Sequence, residues 1–202
     1  MSQDNFYTEL ADSYRSYAER KADYIRAIDT IVISNIRGGS LLDVGAGDGV
    51  RGMSLLENSF ANRLVQVEPN NRMFELCREN NPDELFNLGV EELDSLEGTF
   101  DTIVCLANVL GHVEDKDRRI QALINMKEKL GPHGKLYLDV NNRYNIRAYG
   151  IKIVLSNLYK DLFHPDESNG DVTYTMDIDG KEIPGKGHIF NRKEMKDLIS
   201  LA

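Results

Sequence analysis

A glycine-rich turn between a predicted strand and a predicted helix is the feature that most limits what this chain can fold into. Residues 41–52 read Leu-Leu-Asp-Val-Gly-Ala-Gly-Asp-Gly-Val-Arg-Gly, a short apolar run followed by glycines at positions 45, 47 and 49. Glycine lacks a Cβ atom, so the turn can adopt positive φ angles and a ligand can lie against its backbone. Asp43 adds a carboxylate at the end of the strand. The segment therefore predicts a ligand-binding turn that favours a cationic ligand over a phosphate.

Residues 47–52 also match G-x-G-x-x-G, the dinucleotide fingerprint. In that fingerprint the first glycine directly follows the strand, whereas Gly47 already lies two positions into the turn. Asp43 and Asp48 would both repel a pyrophosphate at the helix N-terminus. S-adenosylmethionine carries an ammonium and a sulfonium and no phosphate, so the acidic turn favours it over NAD.

Apolar runs alternate with helical patterns along most of the chain. Residues 4–36 are predicted to form two helices, which Gly38 and Gly39 end. The predicted strands are residues 41–44, 64–68, 85–90, 100–106 and 135–140, and the intervening helices include 70–80 and 115–130. This order predicts an α/β fold, a doubly wound, Rossmann-like and mostly parallel sheet with helices on both faces. Ligands of such sheets bind at the carboxyl ends of the strands.

Composition excludes several functional classes. The chain has 202 residues, of which 41% are hydrophobic and 28% charged, so we expect one globular domain. No apolar run approaches the roughly 20 residues of a membrane span, and no signal-peptide pattern is present, so we expect a cytoplasmic protein without a membrane partner. The net charge of −9 argues against nucleic acid as a partner. Cys77 and Cys105 lack metal or redox spacing, so we expect reduced core thiols and no metal site.

The turn at residues 43–49 resembles the first motif of the class I S-adenosylmethionine-dependent methyltransferases. Glu68, at the end of the second predicted strand, resembles the acid with which that family binds ribose, and its carboxylate can accept both ribose hydroxyls. The resemblance implies S-adenosylmethionine as cofactor and S-adenosylhomocysteine as product. It implies these cofactor-binding residues: Asp43, Gly45, Ala46, Gly47, Glu68, Pro69, Met73, Val90, Glu91, Leu106, Ala107 and Tyr14.

The third motif departs from the family pattern. Gly89 stands where the family usually has an acid that accepts the adenine amino group. Val90 can still offer its backbone N–H, and Glu91 can replace the missing acid. Glu91 and Glu92 can equally be acids of a first helical turn, where the helix dipole favours them.

Residues 105–112 resemble the fourth motif of family members that act on small molecules. The segment lacks the Pro-Pro-aromatic run of base-amine methyltransferases and the Pro-Cys pair of pyrimidine-carbon methyltransferases. We therefore expect methyl transfer to an oxygen or nitrogen of a small-molecule acceptor. His112 is a candidate general base, because the reference pKa of histidine, about 6.5, suits proton abstraction near neutrality. His188 and Tyr144 are further catalytic candidates. Each histidine can instead have a structural role, which we call the structural alternative. His112 can make a local hydrogen bond, and His188 can pack against its neighbours.

The resemblance divides the chain into four parts. We expect N-terminal helices over residues 1–38, with Tyr7 or Tyr14 closing over the cofactor, and a cofactor-binding core over 39–145. A substrate-cap insertion over 146–187 is predicted to hold a helix over 147–158 and a hairpin of strands 172–178 and 181–183. Its turn at Asp179 and Gly180 is predicted to be type I′. The last helix, within 188–202, is predicted to begin at Asn191 with a capping box to Glu194.

The chain stops at Ala202 within a helical pattern, whereas the family domain normally continues with two more strands. We therefore expect that these strands are missing and that the chain is truncated. The exposed edge of the fifth strand would then favour a homodimer. Two other functions stay open, an NAD(P)-dependent oxidoreductase and a non-catalytic S-adenosylmethionine-binding protein.

Overall fold

A five-stranded parallel sheet organises residues 3–178 and 180–202, the part of the chain that the computed structural model describes. Its strands are β1 (Ser40–Val44), β2 (Arg63–Val67), β3 (Glu84–Phe86), β4 (Phe100–Cys105) and β5 (Leu130–Leu138). They lie in the order β3-β2-β1-β4-β5, and every neighbouring pair is parallel. The chain thus winds outwards from β1 in both directions. The predicted doubly wound sheet is confirmed.

Eight α-helices surround or extend this sheet in the described residues. They are α1 (Gln3–Leu10), α2 (Tyr14–Glu19), α3 (Ala22–Asn35), α4 (Val50–Glu57), α5 (Asn71–Arg78), α6 (Lys116–Glu128), α7 (Ile146–Phe163) and α8 (Arg192–Leu201). The N-terminal region forms three helices where the sequence predicted two. Ser13 and Lys21 have ψ angles of 9° and 10°, outside the helical range, and they interrupt the pattern before α2 and α3.

Alternating side chains of the strands build one apolar layer on each face of the sheet. Leu42 and Val44 of β1 face a layer that includes residues of α6 and α8. Leu41 of β1 faces the opposite layer, with Val32 of α3 and Leu55 of α4. Successive residues of a strand point to opposite faces, so a short run of buried apolar residues serves both layers. Helices therefore cover both faces, as predicted.

Two strands differ in length from the prediction. β3 ends at Phe86 rather than at residue 90, because Asn87 turns the chain and donates from Nδ2 to the Glu68 carbonyl at 2.8 Å. β5 begins at Leu130 rather than at residue 135, with a register shift opposite β4 between Phe100 and Thr102. β5 is an edge strand of the sheet. The homodimer expected through this edge remains a prediction.

A helix and a hairpin follow β5. Helix α7 continues to Phe163, five residues past the predicted end, and is kinked at Gly150, where φ is 78°. The hairpin pairs β6 (Asp171–Ile178) with β7 (Lys181–His188), so its second strand is five residues longer than predicted. Asp179 of the predicted type I′ turn lies outside the described residues. Helix α8 begins with the predicted capping box of Asn191 and Glu194.

None of the helices in residues 3–178 and 180–202 has the length and apolar character needed to cross a membrane.

Candidate active site

A cavity of about 340 Å³ lies at the carboxyl ends of β1, β2 and β4. Its volume falls within the range of about 300–1,000 Å³ typical of small-molecule sites. Nine of the twelve predicted cofactor-binding residues line it: Tyr14, Gly45, Gly47, Glu68, Pro69, Val90, Glu91, Leu106 and Ala107. The remaining three, Asp43, Ala46 and Met73, do not line it. We call this space the cofactor cavity.

The glycine turn after β1 forms one wall of the cofactor cavity. Gly45 and Gly47 have φ angles of +73° and +61°, which residues with a Cβ atom rarely adopt. A Cβ atom on Gly45 would lie 2.7 Å from Cγ2 of Val109, and one on Gly47 would lie 3.0 Å from the hydroxyl of Tyr14. The turn is therefore shaped so that backbone rather than side chain faces the cavity.

Glu68 is held in place by two backbone N–H groups. Its Oε2 accepts from the Gly47 N–H at 2.8 Å, and its Oε1 accepts from the Asn70 N–H at 2.9 Å. A carboxylate has about four acceptor sites, so Glu68 can still receive ribose hydroxyls. Asn70 in turn caps α5 through Met73 N–H at 3.0 Å and donates from Nδ2 to Oγ1 of Thr8 at 2.9 Å. The ribose-binding candidate is thereby tied to both β1 and α1.

Asp43 lies beneath the glycine turn rather than in the cavity. Its side chain is buried, and its Oδ2 accepts from Nε2 of Gln66 at 3.0 Å. Burial raises the pKa of Asp43 to about 6, although the hydrogen bond from Gln66 opposes the shift. The predicted contact of Asp43 with the methionyl ammonium therefore remains a prediction. Met73 is fully buried in α5 and does not line the cavity, so its predicted contact with adenine also remains a prediction.

The raised pKa of Asp43 makes stability depend on pH. Its ordinary value is 3.8 and its folded-state value about 6, so the folded protein holds this proton more tightly than the unfolded chain. The resulting stabilisation is complete below pH 3.8 and is lost as the pH rises through 6. Asp43→Asn, which cannot ionise, should therefore raise the free energy of unfolding at pH 8 by up to about 3 kcal/mol and have little effect near pH 4. Urea unfolding at the two pH values measures this difference.

Asp101→Asn is the matched control for this experiment. Asp101 is exposed, and hydrogen bonds from the backbone and hydroxyl of Ser40 lower its pKa. Removing its charge should therefore destabilise the fold at pH 8, in the opposite direction from Asp43→Asn. A change in unfolding free energy that is the same at both pH values for Asp43→Asn would contradict the assignment.

A second cavity, of about 240 Å³, adjoins the first. We call it the acceptor cavity. The two share four lining residues: Tyr7, Tyr14, Ala107 and His112. The acceptor cavity is rich in tyrosine from α2, α3, α7 and β6, namely Tyr17, Tyr24, Tyr149 and Tyr174. Asn108 and Asn141, which follow β4 and β5, add side-chain amides. Two ligands, one bound in each cavity, would contact each other beside Ala107 and His112.

His112 stands at the junction of the two cavities. Its ring packs edge-on against Tyr7 with centroids 5.4 Å apart, and its Nδ1 is buried without a hydrogen-bond partner in the described residues. Burial lowers the pKa of His112 to about 4. A hydrogen bond to the Lys186 backbone opposes this shift, and the charge of Lys21 adds to it. The imidazole is thus neutral at neutral pH, with a lone pair that can accept a hydrogen bond.

The loop after β4 has a strained backbone. Ala107 and Asn108 have φ angles of +60° and +64°, which is uncommon outside glycine. Asn108 is fixed by three contacts: its N–H donates to the Asp139 carbonyl at 2.9 Å, its Oδ1 accepts from Asn141 N–H at 2.8 Å, and its Nδ2 donates to the His188 carbonyl at 3.2 Å. Sequence reasoning assigned Asn108 no role. Asparagine tolerates the left-handed backbone conformation better than most residues, and this property was the signal that the sequence offered for Asn108.

His188 has a structural role in this structure, and its predicted catalytic role stays a prediction. Its ring is fully buried, with Nδ1 2.7 Å from Oδ1 of Asp171 and Nε2 2.7 Å from Oε1 of Glu194. Both nitrogens are therefore engaged by carboxylates, which leaves neither for a substrate. The structural alternative describes this residue, because His188 joins the start of the hairpin to α8.

Tyr144, unlike His188, is not among the described lining residues of either cavity. Its hydroxyl donates to Oδ2 of Asp161 in α7, and Asn191 approaches the same oxygen of Asp161 at 3.0 Å. Arg143 binds Asp161 through Nε at 2.9 Å and Nη2 at 3.0 Å. Tyr144 is thus part of an ionic cluster that attaches α7 to α8. The catalytic role predicted for Tyr144 stays a prediction, and its contacts in this structure are those of a structural residue.

The cofactor cavity fits S-adenosylmethionine in charge as well as in shape. Its wall carries the carboxylates of Glu68, Glu91 and Glu114 against the single cation of Arg118 among the described lining residues, and Arg118 itself pairs with Glu114 at 3.1 Å. This excess of negative charge suits a ligand with an ammonium and a sulfonium. The glycine turn supplies the close backbone approach.

Comparisons with known proteins identify the family of this chain. The family model of a methyltransferase domain matches residues 14–200. A glycine/sarcosine N-methyltransferase of Halorhodospira halochloris is 30% identical over 117 residues, 54% of this chain. That match spans only 42% of the relative's length.

Solved structures share the fold. DhpI in complex with SAM (S-adenosylmethionine) and HEP aligns with a TM-score of 0.70 at 17% identity, covering 97% of this chain and 85% of that one. The CcbJ methyltransferase from Streptomyces caelestis aligns with a TM-score of 0.68 at 15% identity, covering 88% and 82%. DhpI is also known in complex with SAH (S-adenosylhomocysteine).

The family and the cofactor predicted from the glycine turn and Glu68 are thereby confirmed, and the nicotinamide alternative is set aside. The match covers nearly the whole chain, from the second helix to the last. The chain belongs to the S-adenosylmethionine-dependent methyltransferases, as a member of the methyltransferase domain family.

Proposed function

We propose that this protein transfers the methyl group of S-adenosylmethionine to the nitrogen of a small-molecule amine. The observation that carries the proposal is the meeting of the cofactor cavity and the acceptor cavity at Ala107 and His112. Bound S-adenosylmethionine supplies an electrophilic methyl group on its sulfonium sulfur. The protein's task is then to align the acceptor and exclude water.

The charge of the acceptor cavity favours an amine. No Asp or Glu side chain is among the described residues that line it. An ammonium ion would find no carboxylate partner there, so the cavity favours the neutral amine, whose nitrogen lone pair is the nucleophile. A hydroxyl acceptor would require a stronger base than His112, because burial lowers the pKa of that histidine to about 4. A curated relative named as an N-methyltransferase supports the same choice.

We assign the parts of the chain accordingly. Residues 39–145 hold the cofactor, while the N-terminal helices (1–38) and the insertion (146–187) close the acceptor cavity. The tyrosines of α2, α3, α7 and β6 in the cavity wall support this division. Residues 188–202 carry α8, whose N-cap residue Asn191 donates to Asp161 of the insertion and whose Glu194 accepts from Arg143.

The experiment that tests the proposal measures transfer of a radiolabelled methyl group to pairs of amines and alcohols that share one carbon skeleton. We expect methylation of amines only. The rate should rise with pH until the acceptor amine is neutral, because His112 is already neutral throughout that range. Methylation of alcohols would contradict the assignment of nitrogen. Binding of SAH without transfer to any acceptor would instead indicate a non-catalytic binding protein.

A variant of the junction residue completes the assay. His112→Asn keeps a hydrogen-bond acceptor at the junction, whereas His112→Ala removes it. We expect His112→Ala to lower kcat by about tenfold or more, and His112→Asn to keep part of the rate; the affinity for SAH should change less than kcat in both variants. Equal rates for wild type and His112→Ala would remove His112 from the mechanism.

A further inference from the structure

The described residues that line the acceptor cavity have a charge opposite in sign to the net charge of the protein. The chain as a whole carries a net charge of −9. The described lining of the acceptor cavity nevertheless contains one lysine, Lys21, and no carboxylate. His188, which also lines the cavity, is buried and lies between the carboxylates of Asp171 and Glu194. Lys21 therefore gives the lining of this cavity a positive charge.

Lys21 is held at the mouth of this cavity. It lies between α2 and α3 with its side chain exposed, and its Nζ sits 4.4 Å from the centre of the Tyr17 ring and donates to the Tyr17 hydroxyl. Its charge contributes to the lowered pKa of His112, which places the ammonium within electrostatic range of the junction. In the described residues Lys21 has no carboxylate partner, unlike Lys116, which pairs with Glu167.

An ammonium stacked on a tyrosine and left without a counter-ion is suited to bind an anion. Lys21 has three N–H donors and uses one of them for Tyr17, while the Tyr17 hydroxyl keeps its own proton to donate. Together they can give charge-assisted hydrogen bonds to the oxygens of a carboxylate or a phosphonate. The volume of about 240 Å³ limits the ligand to a small molecule.

We propose that the methyl acceptor is a small amine that carries an anionic oxyacid group, and that Lys21 and Tyr17 bind this group while the amine lies near His112. This inference rests on the proposed function and adds the substrate class. Lys21 is then a specificity-determining residue. It selects amines that carry an oxyacid group over amines that lack one, because an acceptor without that group leaves the Lys21 ammonium without a counter-ion.

The experiment titrates the protein, saturated with SAH, with two matched pairs of probes. One pair is β-alanine and its amide, and the other is 2-aminoethylphosphonate and ethanolamine. Calorimetry should show that the member with the oxyacid group in at least one pair binds about tenfold or more tightly than its partner without that group. The pair that responds distinguishes a carboxylate from a phosphonate. Added salt should reduce the difference.

Variants of Lys21 provide the decisive comparison. Lys21→Met keeps the length of the side chain and should abolish the preference for the anionic probe, while Lys21→Arg should retain it. Lys193→Met is the matched control, because Lys193 pairs with Asp197 on α8, away from the acceptor cavity. Each variant should bind SAH as the wild type does.

Three results would overturn the inference: equal binding within both pairs, a preference that survives Lys21→Met, or no binding of either anionic probe to the SAH complex. Failure of SAH itself to bind is a different result. It would refute the proposed function, and the proposed substrate class would then be refuted as well.

Discussion

Glu68→Ala is expected to weaken binding of SAH by at least about 100-fold. The variant removes a carboxylate placed to accept both ribose hydroxyls, and hydrogen bonds to charged groups are each worth about 1.5–3 kcal/mol. It also leaves the N–H groups of Gly47 and Asn70 without their acceptor, so the glycine turn loses the contact that aligns it with β2. Calorimetric titration with SAH measures the loss.

Two further variants separate binding from folding. Glu68→Gln keeps the shape and one acceptor, so it should fall between wild type and Glu68→Ala in affinity. Glu97→Ala removes an exposed carboxylate and should bind SAH normally. Thermal unfolding of each variant shows whether the fold is retained. If folded Glu68→Ala binds SAH as tightly as the wild type, the ribose assignment is incorrect.

Arg143→Met is expected to destabilise the protein by about 3–5 kcal/mol, the usual cost of removing one partner from a buried ionic cluster. The Arg143 side chain is only 5% exposed and binds Asp161 through two nitrogens. Its Nη1 also donates to Oε2 of Glu194 at 2.7 Å and to the Ile189 carbonyl at 3.1 Å. Without the guanidinium, two largely buried carboxylates lose their counter-ion. Urea denaturation gives the change in unfolding free energy.

The matched control is Arg118→Met. Arg118 pairs with Glu114 on the surface, and more than half of each side chain is exposed. Exposed pairs contribute little, so this variant should change stability by less than about 1 kcal/mol. Restoring part of the stability of Arg143→Met with Asp161→Asn would identify the unpaired charge as the cause. A loss below about 1 kcal/mol for Arg143→Met would show that the cluster does not hold the insertion to α8.

The cofactor side of the site could be predicted because its determinants are local in sequence. The turn requires glycine at positions 45 and 47 for reasons of backbone angle and space, and Glu68 follows directly from the end of β2. The direction of the Asp43 side chain could also have been inferred. Strand residues alternate between faces, and Leu42 and Val44 occupy the layer opposite the one that holds Leu41.

The acceptor side could not be predicted in the same way, because distant residues determine it. Whether His188 is a base or a structural residue depends on Asp171 and Glu194, which lie on different elements. Tyr144 is likewise engaged by Asp161 of α7. The length of β7 was hidden by Pro184, which breaks the strand pattern yet is tolerated in a two-stranded hairpin. The role of Lys21 depends on which side chains surround it.

The two cavities differ in what builds them. The cofactor cavity is lined largely by residues at the ends of sheet strands, whereas most of the acceptor cavity comes from α1–α3, α7 and the hairpin, outside the sheet. Tyr7 and Tyr14 line both cavities, so substitutions of the outer residues that line only the acceptor cavity are the ones expected to change acceptor binding while sparing the binding of SAH.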